Sequence, residues 1–151
     1  MIASGAVNSS FDSGSSVLSE LVTNASIEMS ATPLEEVAGQ ASFLPFGTSV
    51  YVPSPQKKPL ASNLEFVEAL HSAGMEPVPH IAARKVPSRQ ELKDYLQTVV
   101  GNYGVHRVLV IGGDVRKARG PYADSAELLK DEVLSETGIK EIGIAGYPEG
   151  H

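Results

Sequence analysis

Residues 88–114, SRQELKDYLQTVVGNYGVHRVLVIGGD, decide the fold, because they pair a helix pattern with a buried-strand pattern. Ser88 and Glu91 form a capping box at the start of the helix. Apolar side chains then recur on one helical face, at Leu92, Tyr95, Leu96, Val99 and Val100. Gly101 is placed to end the helix. The run RVLVI at 107–111 has the Val, Leu and Ile content that is typical of buried parallel strands.

The same alternation extends over most of the chain. Further apolar runs occur at residues 25–29, 48–52, 77–82 and 141–145, and the third is weakened by its two prolines. Capping boxes predict three more helix starts, at Thr32 with Glu35, Ser62 with Glu65, and Asp124 with Glu127. Repeated strand-then-helix units predict an α/β protein with a parallel sheet. Two architectures remain open at this point, an open doubly wound sheet and a (β/α)8 barrel.

Composition limits the class of protein. The 151 residues are 42% apolar and 20% charged, which is enough for one packed domain. We expect a flexible N-terminus at residues 1–14 and the domain at residues 15–151. A net charge of −6 without a basic stripe argues against nucleic acid as a partner. The absence of an 18-residue apolar run argues against a membrane span, and the absence of cysteine fits a cytoplasmic protein.

Polar side chains gather where the apolar runs end. They are Glu28, Tyr51, His80, the Gly112-Gly113-Asp114 turn, Tyr147 and His151. Parallel α/β folds bind ligands at the carboxyl edge of the sheet, so their shared position indicates a site. Each also has a plainer interpretation: Glu28 as a solvated edge residue, His80 as a hydrogen-bonded core residue, the glycines as a tight turn, and the tyrosines as packing residues.

The chemistry expected of this edge is proton donation beside a planar ligand. Burial of Glu28 in an apolar strand would favour its neutral carboxylic acid, which can serve as a general acid. Gly112 and Gly113 would let a flat ring approach the backbone, with Asp114 beside it. A metal-dependent enzyme is an alternative, since Glu28, His80, Asp114 and His151 are all metal-capable types. No H-x-H or H-E-x-x-H spacing supports a metal site, and none is predicted.

Four segments resemble the methylenetetrahydrofolate reductase family. They are SIEMS at 26–30, PVPHIAAR at 77–84, VLVIGGD at 108–114 and GIAGYPEGH at 143–151. The resemblance covers roughly residues 26–151 and implies a (β/α)8 TIM-barrel type of fold that binds FAD. In this family NAD(P)H reduces the flavin, which passes hydride to 5,10-methylenetetrahydrofolate and yields 5-methyltetrahydrofolate. The resemblance therefore implies a folate substrate, FAD as cofactor and NAD(P)H as co-substrate.

The resemblance also implies roles for individual residues. Glu28 corresponds to the general acid that helps open the folate ring, and Asp114 to the acid that tunes the flavin and contacts the pterin. The implied flavin-site residues are Tyr51, His80, Gly112, Gly113, Asp114, Ala145, Tyr147 and His151. Tyr51 and Gly112 depart from the pattern, because many members have threonine and the best-known members have arginine there. The departures leave open a related barrel that performs another one-carbon transfer on folate.

Length is the larger departure from the family. A full barrel takes about 250 residues, and the five apolar runs predict a barrel truncated after about its fifth strand. Such a remnant would expose strand edges and an apolar face, which predicts a homo-oligomer or association with a complementary chain. An inactive fragment is the remaining alternative.

Overall fold

The computed structural model describes residues 12–23, 25–29, 32–54 and 58–146, with side chains from Val17 onward. Its strands are β1 Ile27–Glu28, β2 Ser49–Val52, β3 Glu76–Ala82, β4 Arg107–Ile111 and β5 Glu141–Ile144. Its α-helices are α1 Asp12–Thr23, α2 Val37–Ala41, α3 Leu64–Ser72, α4 Arg89–Tyr103, α5 Ser125–Lys130 and α6 Val133–Glu136. Short 3-10 helices lie at Leu34–Glu36, Leu60–Asn63 and Ala83–Lys85. The five strands match the five predicted apolar runs.

The strands form one parallel sheet in the order β1-β2-β3-β4-β5. This order has no reversal, so the described residues do not form the doubly wound arrangement with helices on both faces. One face of the sheet packs against the helices. Its buried side chains come from alternate strand positions, at Val50, Val52, Ile81, Val108 and Val110. The predicted α/β class with a parallel sheet is therefore confirmed.

The prolines of β3 are accommodated by its pairing pattern. Pro77 and Pro79 lie opposite Val50 and Val52 of β2. Pairing with β4 begins only at His80, which lies opposite Leu109. The half of β3 that carries the prolines is therefore paired on one side only, where a missing N–H is tolerated.

Two of the four predicted helix caps are confirmed. The N–H of Glu91 donates to Ser88 Oγ at 3.1 Å, and the N–H of Glu127 donates to Asp124 Oδ1 at 2.9 Å. The caps predicted at Thr32 and Ser62 are wrong. Ser62 lies inside a 3-10 turn that starts after Pro59, and its hydroxyl donates to the Pro59 carbonyl at 2.7 Å. A 3-10 turn likewise starts after Pro33, and no side chain caps it.

Helix α4 runs past Gly101 and ends at Gly104, whose φ of +64° forms the left-handed cap. The helix expected after Asp124 is instead two short helices, α5 and α6, separated at Asp131. The Asp131 carboxylate accepts hydrogen bonds from Arg89 Nε (2.9 Å), the Tyr122 hydroxyl (2.7 Å) and the Val133 N–H (2.9 Å). Burial alone would raise the pKa of Asp131, but these hydrogen bonds outweigh it and lower that pKa.

Two apolar surfaces have no covering element within the described residues. Helix α1 starts inside the segment that was predicted as a flexible N-terminus, and residues 1–11 of that segment lie outside the described part. On helix α1, the side chains of Leu18 and Leu21 are 65% and 63% exposed. Ile142 and Ile144 of β5 lie on the helix-packed face of the sheet, yet they are 44% and 65% exposed. In the part of the chain that the structure describes, no helix has the length and apolar character needed to cross a membrane.

Candidate functional site

Glu28, Tyr51 and His80 lie together on the face of the sheet opposite the helices. Glu28 pairs in register with Tyr51, and Tyr51 pairs with Val78. His80 lies two residues beyond Val78 on β3 and therefore points to the same side. The alternation of strand side chains thus brings three predicted site residues from three neighbouring strands onto one surface.

The three side chains are close to one another. Glu28 Oε2 lies 3.8 Å from His80 Nε2, which brings β1 and β3 side chains together over the intervening β2. This distance is too long for a hydrogen bond. The ring of Tyr51 meets the His80 ring edge-on, with centroids 5.8 Å apart. The arrangement combines a carboxyl group, an imidazole and an aromatic ring in one small area.

His80 is buried, and its Nε2 atom has no hydrogen-bond partner among the described residues. Burial lowers the pKa of His80, and the nearby Glu28 carboxylate offsets only part of this effect. The ring is therefore neutral near pH 7. A buried nitrogen without a partner is uncommon in folded proteins, which argues against a purely structural, hydrogen-bonded core histidine.

The predicted burial of Glu28 is wrong. Its side chain is 53% exposed, because β1 is a two-residue strand at the edge of the sheet. The described residues therefore do not provide the burial on which the expected general-acid role was based. A ligand lying on this face would have to cover Glu28 and exclude water from it.

The turn after β4 lies against the end of β3. Gly113 has a φ of +88°, and a Cβ built on it would lie 3.1 Å from Ala82 Cβ. Glycine is thus required at 113 by the backbone conformation and by close packing. Asp114 is exposed, and no hydrogen bond or ion pair joins it to Glu28 or His80 within the described residues. The structure therefore places Asp114 after β4, as predicted, without connecting it to the Glu28–His80 pair.

Arg84 was not identified as a site residue from the sequence. Its Nε donates to the Ala123 carbonyl at 2.9 Å, and its Nη1 lies 3.4 Å from the carbonyls of Gly113 and Val115. Its backbone N–H donates to the Gly112 carbonyl at 3.1 Å. Arg84 therefore ties the segment after β3 to the loop after β4. The available signal was its position, as the first charged residue after the third apolar run.

The amino end of the same sheet face carries a separate polar cluster. Arg107 on β4 donates to Glu141 Oε2 on β5 at 2.7 Å and to Ser49 Oγ on β2 at 3.2 Å. Ser49 in turn donates to Glu76 on β3 at 3.3 Å. These groups satisfy one another's hydrogen-bonding capacity across four strands. His80 Nε2, a buried atom of this face without a partner among the described residues, lies towards the carboxyl edge.

A cleft of about 320 Å³ opens at the amino ends of β3 and β4. Phe46, His71, Tyr103 and His106 are among its lining residues. It lies at the opposite edge of the sheet from the predicted site and contains none of the predicted residues.

The remaining predicted residues lie around the end of β5. Ala145 follows this strand and is exposed, whereas Tyr147 and His151 lie outside the described residues. Among the described residues, no group of three or more His, Asp and Glu side chains is placed to hold a metal ion. No known protein-family model matches the chain.

Proposed function

We propose that the protein is a methylenetetrahydrofolate reductase-like flavoprotein. In this proposal, hydride passes from NAD(P)H through FAD to 5,10-methylenetetrahydrofolate and yields 5-methyltetrahydrofolate. The observation that carries the proposal is the Glu28–His80 pair, an acid and a buried, unpaired imidazole on one open sheet face. The four sequence segments that resemble this family supply the chemistry assigned to that face.

We further propose that the sheet belongs to a (β/α)8 barrel. Sequential parallel strands with helices on one face are the arrangement that such a barrel requires. The described sheet contains five strands, and β1 and β5 are its two edges. In the functional assembly a second copy or a complementary chain covers these edges. Size-exclusion chromatography with light scattering tests this part, and a monomer that unfolds cooperatively would contradict it.

The residues of the open face fit a planar cofactor in three respects. The buried Nε2 of His80 has no hydrogen-bond partner among the described residues, the Tyr51 ring offers an aromatic edge, and the loop after β4 carries no side chain at Gly112. A bound FAD would supply the hydride-transfer chemistry. Asp114, Ala145, Tyr147 and His151 remain predicted contacts to this cofactor.

Glu28 has the acid role in this proposal. Its carboxyl group donates a proton to the folate nitrogen that is released when the one-carbon bridge opens. In this proposal, cover by the bound ligands excludes water from the carboxyl and favours its protonated form. His80 is held neutral by burial, so it does not form a fixed ion pair with Glu28 that would oppose protonation.

Glu28→Gln tests this role, because glutamine keeps the size of the side chain and removes the acid. We expect normal FAD binding and normal flavin reduction by NAD(P)H, with folate reduction slower by about 10²–10⁴-fold. Glu68→Gln, at an exposed position on α3, is the matched control and should behave as wild type. Normal rates for both half-reactions in Glu28→Gln would disprove the acid role. Wild-type protein that binds no FAD and oxidises no NAD(P)H would remove the whole proposal.

A further inference from the structure

Arg84 is a half-buried cation whose side-chain partners are all backbone carbonyls. Its Nε and Nη1 atoms contact the carbonyl oxygens of Gly113, Val115 and Ala123. No carboxylate forms an ion pair with it in the described part of the chain. These contacts hold the guanidinium in place, and the partial negative charges of the carbonyl oxygens offset only part of its positive charge.

The free edge of this guanidinium lies beside Gly112. A Cβ built on Gly112 would lie 3.8 Å from Arg84 Nη2, so the arginine occupies the space next to this glycine. Nη2 makes no hydrogen bond to another described residue, and its N–H groups remain available. Because Gly112 has no side chain, a ligand at this backbone can reach Nη2 directly.

We infer that Arg84 is an anion-binding residue of the candidate site, with Nη2 donating to a negatively charged oxygen of the bound ligand. The guanidinium keeps its charge at all physiological pH values and presents its N–H groups in a planar fork. Its fixed position lowers the entropic cost of binding. The inference rests on the proposed flavin site. This oxygen is either a carbonyl oxygen of the flavin ring, which carries a partial negative charge, or an ionised oxygen of the diphosphate of FAD.

The experiment compares wild type with Arg84→Met and Arg84→Lys by flavin fluorescence titration. Arg116→Met is the matched control, because Arg116 is an exposed cation of the loop after β4 that Arg84 contacts. We expect Arg84→Met to weaken FAD binding about tenfold or more, as befits a lost charge-assisted hydrogen bond, and Arg116→Met to change it less than about twofold. Titration with riboflavin separates the two sources. If Arg84→Met weakens the binding of both riboflavin and FAD, the oxygen lies on the ring. If it weakens the binding of FAD alone, the oxygen lies on the diphosphate.

Arg84 also ties two loops together, so each variant is checked by urea unfolding. Arg84→Lys retains the charge but not the fork, and weaker FAD binding at a wild-type urea midpoint supports the inference without any contribution from unfolding. Wild-type FAD affinity in both Arg84 variants would overturn it.

A second experiment, a thermal-shift assay with inorganic pyrophosphate, tests anion binding by Arg84 independently of flavin binding. If wild type binds no FAD, the proposed function fails and this experiment alone decides on Arg84. A pyrophosphate shift that is present in wild type and lost in Arg84→Met supports anion binding. When no FAD binds, equal shifts in the two proteins, or no shift in wild type, overturn the inference.

Discussion

Adjacent glycines after β4 are expected to respond very differently to the same substitution. Gly113 has a φ of +88°, and a Cβ there would meet Ala82 Cβ at 3.1 Å. Gly112 does not have a positive φ, and a Cβ there would meet only Arg84 Nη2, at an ordinary contact distance of 3.8 Å. Replacing each in turn by alanine therefore isolates backbone strain and packing from the general effect of adding a methyl group.

The magnitude follows from two contributions. Alanine in the left-handed region costs roughly 1–2 kcal/mol, and the tight contact with β3 adds about 1 kcal/mol because the strand end must move. Gly113→Ala should therefore lower the free energy of unfolding by about 2–3 kcal/mol. Gly112→Ala should remain within about 1 kcal/mol of wild type, since a compatible Gly→Ala change also restricts the unfolded chain.

Urea unfolding followed by circular dichroism measures both changes. With an m-value of about 2 kcal/mol/M, the midpoint of Gly113→Ala should fall by about 1 M or slightly more, and that of Gly112→Ala by less than half as much. Equal midpoint shifts for the two variants would refute the argument, because they would show that residue 113 is not conformationally restricted. Unchanged m-values are required for the comparison to measure stability alone.

Two further predictions concern the same region. Gly120→Ala should destabilise the protein by at least as much as Gly113→Ala, because a Cβ there would collide with the Pro87 carbonyl oxygen; a wild-type urea midpoint would contradict this. The lowered pKa of His80 means that the unfolded chain binds more protons, so stability is complete above the ordinary value of 6.5 and is lost as pH falls through the folded pKa. His80→Gln should show a smaller loss of urea midpoint between neutral and mildly acidic pH, and an identical loss in both proteins would disprove the burial argument.

The strands were predictable because each is a short apolar run with a helix pattern on at least one side. The two confirmed helix caps, at Ser88 and Asp124, were also predictable, because each cap is a hydrogen bond between residues that are close in the chain. The structure puts Tyr51 and His80 on the same face of the sheet, since one residue in two points to each face. These features depend on local sequence, so the pattern alone was sufficient.

The features that were missed depend on tertiary contacts. Glu28 was expected to be buried, and its exposure follows from the shortness of β1 and its edge position, which only the assembled sheet defines. Arg84 contacts the Ala123 carbonyl 39 residues away. Every residue has a backbone carbonyl, so the residue type at 123 does not indicate that its carbonyl accepts this hydrogen bond. No sequence pattern could therefore predict the contact. Asp131 interrupts a predicted helix because its carboxylate is held by Arg89 of another helix.

The sequential strand order has a consequence for how the chain acquires its structure. Each strand pairs with the strand that precedes it, so every sheet contact closes a loop no longer than a single repeat unit. Short loops of this kind lower the contact order. They also reduce the conformational entropy that the chain loses before the strands can pair. We therefore expect the sheet to grow one strand at a time from the amino terminus as the chain leaves the ribosome.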